Sequence, residues 1–267
     1  MSATPFVERR GSLAATWSDT LLMTRRTLLH TIRVPELLVF ATIQPVMFVL
    51  LFRYVFGGAI QVRGTSYVNY LMAGIFVQTV AFGALTTGVG LAEDLNRGLI
   101  DRFRSLPMSR SAVVTGRVLG DLVRNMFVVS VMLAVGLAVG FRPHGSPLGW
   151  LAAVGLLLLL SFAFSWIGAT VGLGIRNVEA VQSAGFIWLF PLTFASSAFV
   201  PTQSMPDWLQ GFADNQPISR IVDAVRGFVL GRADAGSAWA SLGWCSAISV
   251  VFLTLAVLLY RRTTARA

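Results

Sequence analysis

Four aspartates, Asp207, Asp214, Asp223 and Asp234, crowd into one stretch of the chain, the nearest the sequence comes to a catalytic constellation. Carboxylates so grouped could hold a divalent metal and turn over a lipid substrate within the membrane. Their spacing is irregular, however, and helix caps or solvated faces account for Asp207 and Asp214 without catalysis. His30 and His144 are far apart and are expected on opposite sides of a membrane, so no shared metal site is expected. Cys245 is the only cysteine, which rules out an internal disulfide and suits packing within a span. All 21 basic residues are arginine. Without lysine the chain carries neither a Walker A phosphate-binding lysine nor a Schiff-base lysine. No catalytic residue and no metal site is therefore expected.

The elements that hold these side chains are apolar. Hydrophobic residues make up 55% of the 267 positions and charged residues only 12%, against about 25% charged in a soluble domain. The formal charge of +9 could serve nucleic acid, but arginines flanking apolar spans set topology and meet anionic headgroups, so lipid rather than nucleic acid is the expected partner. Crossing about 30 Å of hydrocarbon takes roughly 20 helical residues. Runs of about that length fall near 37–56, 68–91, 119–140, 150–175, 181–200 and 239–260, which predicts an all-α membrane protein with six transmembrane helices. The break at Arg176, Asn177 and Glu179 reads as a tight turn; were those residues buried, the count would be five. No cleavable signal peptide is expected, because the first long apolar run begins only after Pro35.

Arginine bias orients the chain. With the N-terminus inside, only Arg53, Arg63, Arg142, Arg220, Arg226 and Arg232 lie outside or near it, and the remaining arginines face the cytoplasm. Both termini are then cytoplasmic. Residues 1–36 read as a cytoplasmic tail and an amphipathic interface helix, with Leu13, Trp17, Leu21, Leu28 and Ile32 on one side and Asp19, Arg26, His30 and Arg33 opposite. Arg25 adds to the basic character of that helix. Residues 37–267 are expected to form the six-span domain. Gly136 with Gly140, and Gly168 with Gly172, have the G-x-x-x-G spacing that lets helix backbones approach.

Two connecting segments carry more information than the spans. Loop 92–117 is too long for a turn, and Leu99, Phe103 and Leu106 recur at helical spacing beside Asp101, Arg102 and Arg104, predicting a short amphipathic helix that ends before Pro107. Segment 201–238 is no hydrophilic tether: a first short helix takes in Asp207, Trp208, Leu209 and Phe212, and Pro217 opens a second that carries Ile218, Ile221, Val222, Val225 and Phe228 and stops at Gly231.

The run E-D-L-x-x-G-L-I-D-R-F-R-S-L-P-M-S-R from Glu93, followed by Gly116 and Arg117, resembles the permeases of type-2 ABC exporters, above all the daunorubicin-resistance subfamily. The resemblance implies that Gly98, Asp101, Arg102, Phe103, Arg104, Leu106 and Pro107 form a coupling helix docking on a separate ATP-binding-cassette ATPase, which would bind the ATP and Mg. It implies no cofactor in this chain, which would be a transport subunit rather than an enzyme. It further implies a second permease copy, identical or related, and a bacterial inner-membrane location. Asn215, Gln216, Pro217, Ile218 and Ser219 are similar to a motif at the same place in that subfamily, where paired helices re-enter the outer leaflet and help close the exit; Trp208 would belong to the same gate. The expected cargo is an amphipathic drug, lipid or glycolipid moved outward. An ion-coupled secondary transporter is the alternative, but it would want carboxylates near the midplane, whereas Glu36, Glu93, Asp94 and Asp121 are expected near span ends.

Overall fold

The computed structural model describes residues 13–60, 62, 64–99, 102, 110–175 and 177–265. Among them are nine α-helices and no strand: α1 Leu13–Arg33, α2 Pro35–Leu51 continued by a π-helical turn Phe52–Phe56, α3 Tyr67–Asn96, α4 Arg110–Val139, α5 Pro147–Gly174, α6 Val178–Phe194, α7 Asp207–Asn215, α8 Pro217–Leu230 and α9 Ala235–Ala265. Side-chain oxygens meet the first free amides of several helices, as helix starts require. Ser66 accepts from the Asn69 amide (3.3 Å), Ser146 from Gly149 (3.1 Å), and Asn177 from Ala180 (3.1 Å). Asp234 accepts from the Ser237 amide and hydroxyl, which hold its carboxyl below the usual carboxylate range. Pro147 and Pro217 stand at first helical positions, where a missing amide hydrogen costs nothing.

Among the described residues, five helices are long and apolar enough to cross a membrane: Leu38–Phe56, Tyr67–Asn96, Ser111–Val139, Pro147–Gly174 and Ala235–Tyr260, while α6 is apolar but has only 17 residues. The centre of the bundle is α3, buried along most of its length, and α5 lies along it. A Cβ at Gly168 or Gly172 would run into the Ala84 or Gly88 carbonyl oxygen, so the two backbones touch only because these positions lack side chains. The Gly136–Gly140 pair behaves differently. Gly136 packs under Met72, but Gly140 takes φ +106° where α4 ends and turns the chain instead of packing.

Two spans depart from their expected limits. The helix expected from 119 begins at Arg110, so Asp121 lies well inside α4 and is buried. The run expected over 181–200 stops being helical at Phe194. Its remainder runs on along α3 toward Tyr67, and there Phe199 stacks on Phe52 at 4.6 Å and Phe194 at 5.0 Å.

Helix α1 has three faces rather than two. Trp17, Leu21, Leu22 and Ile32 are exposed, while Thr20, Met23 and Thr24 are buried against α4. The contact is made by glycine: a Cβ at Gly116 would strike Met23, and one at Gly120 would strike Thr27. Each of Thr20, Thr24, Thr27 and Thr31 turns its hydroxyl back onto the carbonyl four residues earlier, so none of these four donors goes unmet.

Candidate functional site: polar clusters at the two ends of α3

At the Tyr67 end, the non-helical stretch after α6 leaves carbonyls and amides that need partners, and in an apolar bundle each unmet one is costly. The partners come from α3 and α8. Tyr67 donates to the Phe199 carbonyl (3.0 Å) and Tyr70 to the Ser197 carbonyl (2.8 Å). Gln216, buried at the start of α8, donates through Nε2 to the Leu192 carbonyl (2.9 Å) and accepts from the Ile218 amide (3.1 Å) through Oε1. The Ser197 amide donates to Ser219 Oγ at 3.0 Å. Arg226 closes the cluster. Its Nη2 reaches the Ser197 carbonyl (2.7 Å), its Nε the Tyr70 carbonyl (3.1 Å) and its Nη1 the Asp223 carboxylate (2.6 Å), with the guanidinium 3.6 Å from the Tyr70 ring centroid. The α6 end, α3 and α8 are thereby pinned together.

At the Asn96 end, α1, α3 and α4 meet on one carboxylate. Asp94 takes Arg26 of α1 at 3.2 Å and Arg117 of α4 at 3.5 Å. Arg117 Nε stands 3.7 Å from Asp121, which accepts from the Thr87 hydroxyl at 2.7 Å. Arg117 fits because Gly90 faces it, for a Cβ there would occupy the guanidinium's place. One turn farther along α4, Arg124 Nη2 donates to the Gly83 carbonyl (3.2 Å), and Asn125 donates to Ser161 Oγ (2.9 Å). The last turn of α3, which leads into loop 92–117, is therefore tied by charge to α1 and to α4.

Residues 18–230, from α1 through α8 and including both clusters, match the model of the ABC-2 type transporter family. The chain belongs to that family. It is 33% identical over 256 residues to the daunorubicin resistance ABC transporter permease protein of Streptomyces coeruleorubidus, covering 96% of this chain and 90% of the relative. An ABC transporter permease protein of Mycobacterium tuberculosis strain H37Rv, named for doxorubicin resistance, is 28% identical over 92% of this chain and 90% of its own length. A transport permease of Porphyra purpurea is 26% identical over 76% and 71%. With its apolar helices, this ABC-2 chain is a multi-pass membrane permease.

The sequence-nominated residues of this permease fall in distinct places. Asp101, Phe103, Arg104, Leu106 and Pro107 lie outside the described residues. Gly98 is described with φ +65°, and its carbonyl accepts from the Arg102 amide at 3.2 Å. The positive φ suits glycine and lets the chain leave α3 in a new direction. Of the α1 residues, Arg26 joins Asp94, while Arg25, Arg33 and Trp17 are exposed. Gln216 is buried in the Tyr67-end cluster, and Pro217 begins α8. Asn215 sits beside them, exposed, and accepts from Arg220 at 3.1 Å. Trp208 is 78% exposed on α7 and takes no part in the cluster.

Sequence reasoning did not single out Tyr67, Tyr70, Arg226, Asp94 or Asp121 for a role. Two signals were there to be found: the four-residue spacing of Arg117 and Asp121, which puts them on one helix face, and the Gly116–Gly120 spacing under α1.

Proposed function

We propose that this permease is the membrane subunit of an ATP-driven exporter that carries an amphipathic drug, lipid or glycolipid from the cytoplasm or inner leaflet outward. The observation that carries this reading is the match over nearly the whole chain to a permease named for daunorubicin resistance. ATP and Mg would be bound and ATP hydrolysed by a separate ATP-binding-cassette chain docked on Gly98–Pro107, and two permeases, identical or related, would form the path between them. The termini face the cytoplasm of a bacterial cell whose inner membrane holds the protein, as the arginine distribution favours.

Six crossings follow if α6 counts as one. Its 17 residues reach about 26 Å, and the capped, hydrogen-bonded stretch after Phe194 supplies the rest. In this orientation α7 and α8 lie at the outer face as a re-entrant pair closing the exit. Residues 1–36 then form the tail and interface helix, and 37–267 the permease domain. The clamp on Asp94 supports a coupling role for the loop, because whatever moves the loop pulls first on α1 and α4.

Arg102→Glu with Arg104→Glu tests the reading. The variant should insert in the membrane yet lose both export and co-purification of a Walker-containing ATPase. Normal export in that variant would overturn the coupling assignment, and loss of transport on collapse of the proton gradient with ATP maintained would favour an ion-coupled carrier.

A further inference from the structure

Arg124 is the one guanidinium of the Asn96-end network with no carboxylate within ion-pair distance among the described residues. Its Nη2 meets two neutral acceptors, the Gly83 carbonyl (3.2 Å) and Asn125 Oδ1 (3.1 Å). Its Nε is buried without a partner, and Nη1 has no acceptor among the described residues. Asp121, one turn back, is already engaged by Arg117 and the Thr87 hydroxyl. Asp94 is shared by Arg26 and Arg117.

Depth makes this costly. Arg124 lies 15 residues before Val139, the end of α4, or about 22 Å along the axis. A hydrocarbon core about 30 Å thick measured from that end would extend past it. An arginine at such depth is expected to face a partner of opposite charge or to reach for the headgroups. Beside it on α4, Val123 and Phe127 are 52% and 50% exposed, an apolar strip of the kind that acyl chains cover.

We infer that Arg124 binds the anionic headgroup of a bilayer lipid, of the phosphatidylglycerol type, from the leaflet on the Asn96 side. The headgroup's phosphate oxygens accept from Nη1, for which the described residues supply no acceptor, and the acyl chains lie along Val123 and Phe127. A lipid fits better than a soluble anion because Val123 and Phe127, beside Arg124 on a membrane helix, offer exposed apolar surface. The inference requires only that α4 crosses the bilayer and does not rest on the exporter reading.

Lipid binding to the purified full chain in mild detergent, followed by native mass spectrometry with phosphatidylglycerol and phosphatidylcholine as probes, tests it. The protein should prefer phosphatidylglycerol by about tenfold, as one charge-assisted contact implies. Arg124→Gln should erase that preference, and Arg124→Lys should keep most of it. Equal binding of both lipids by the unmodified protein would overturn the proposal, and this arm decides even if Arg124→Gln fails to fold. An undiminished preference in a folded Arg124→Gln would overturn it too, as would displacement of phosphatidylglycerol by inorganic phosphate, which would assign a soluble anion instead.

Discussion

Asp94→Asn should loosen the Asn96 end of the bundle by an amount the geometry allows one to work out. The carboxylate is 10% exposed and holds two arginines. Arg26, 42% exposed at 3.2 Å, is solvated enough that its share is at most about 0.5–1 kcal/mol. Arg117, 23% exposed at 3.5 Å, falls between a surface pair and a buried one, and losing one of its two carboxylates, with Asp121 still at 3.7 Å, should cost about 1.5–2 kcal/mol. The sum, about 2–3 kcal/mol, corresponds to a melting point lower by about 4–12 °C in a chain of this size. The chain provides its own probe: Cys245 is the only thiol and fully buried, so a thiol-reactive fluorophore reports unfolding. Arg26→Gln should cost less in the Asp94→Asn background than in the unmodified protein, since the Asp94 pair has already gone. A shift below about 2 °C for Asp94→Asn would refute the idea that this carboxylate clamps three helices.

At the other end of α3, Tyr67→Phe should cost more than Tyr70→Phe in the same melting assay. Phe199's carbonyl has no other donor among the described residues, an unmet buried acceptor worth about 1–3 kcal/mol, whereas Ser197's carbonyl keeps the Arg226 bond at 2.7 Å. Gly168→Val should destabilise by about 3 kcal/mol or more, because its Cβ meets the Ala84 backbone, which cannot step aside. Gly155→Ala, with open space around the added methyl, should be neutral or stabilise by up to about 1 kcal/mol. Equal melting points for these two glycine variants would show that the α3–α5 backbone contact does not matter.

The apolar helices were legible because hydrocarbon imposes length and composition directly. Motif spacing was a less complete guide. Gly168 and Gly172 pack as their spacing implies, yet Gly140 in an identical spacing serves a turn; the pattern is the same because glycine answers both needs. The burial of Asp121 was hidden because a hydropathy window starts where charges stop, whereas α4 starts nine residues earlier, at Arg110, and carries Arg117 and Asp121 within it. Their charges offset each other across one helical turn, which no window of single residues records. The Tyr67-end cluster was hidden for a related reason: its acceptors are backbone carbonyls of Ser197 and Phe199, freed only because α6 ends early.

Both clusters hang on the same helix, and that constrains how the permease can move. Tyr67 and Asp94 are 27 residues apart on α3, about 40 Å. Between them α3 touches neighbouring backbone at Gly74, against Ala198, and at Gly88, against Gly168. Contacts of that closeness leave no slack for α3 to bend or roll alone, since any rotation would turn its larger side chains into backbone. A pull on the last turn of α3, transmitted through Asp94 from α1 or α4, is then accommodated in one of two ways. Either α3 shifts as a rod and the Tyr67 and Tyr70 hydroxyls are drawn against their carbonyls, or the seam with α5 opens and the ends act independently. The first is a rigid-body change of a packed, bistable kind. It would let one carboxylate near the loop bear on the hydrogen bonds that pin α8, without any chain of side chains running between them.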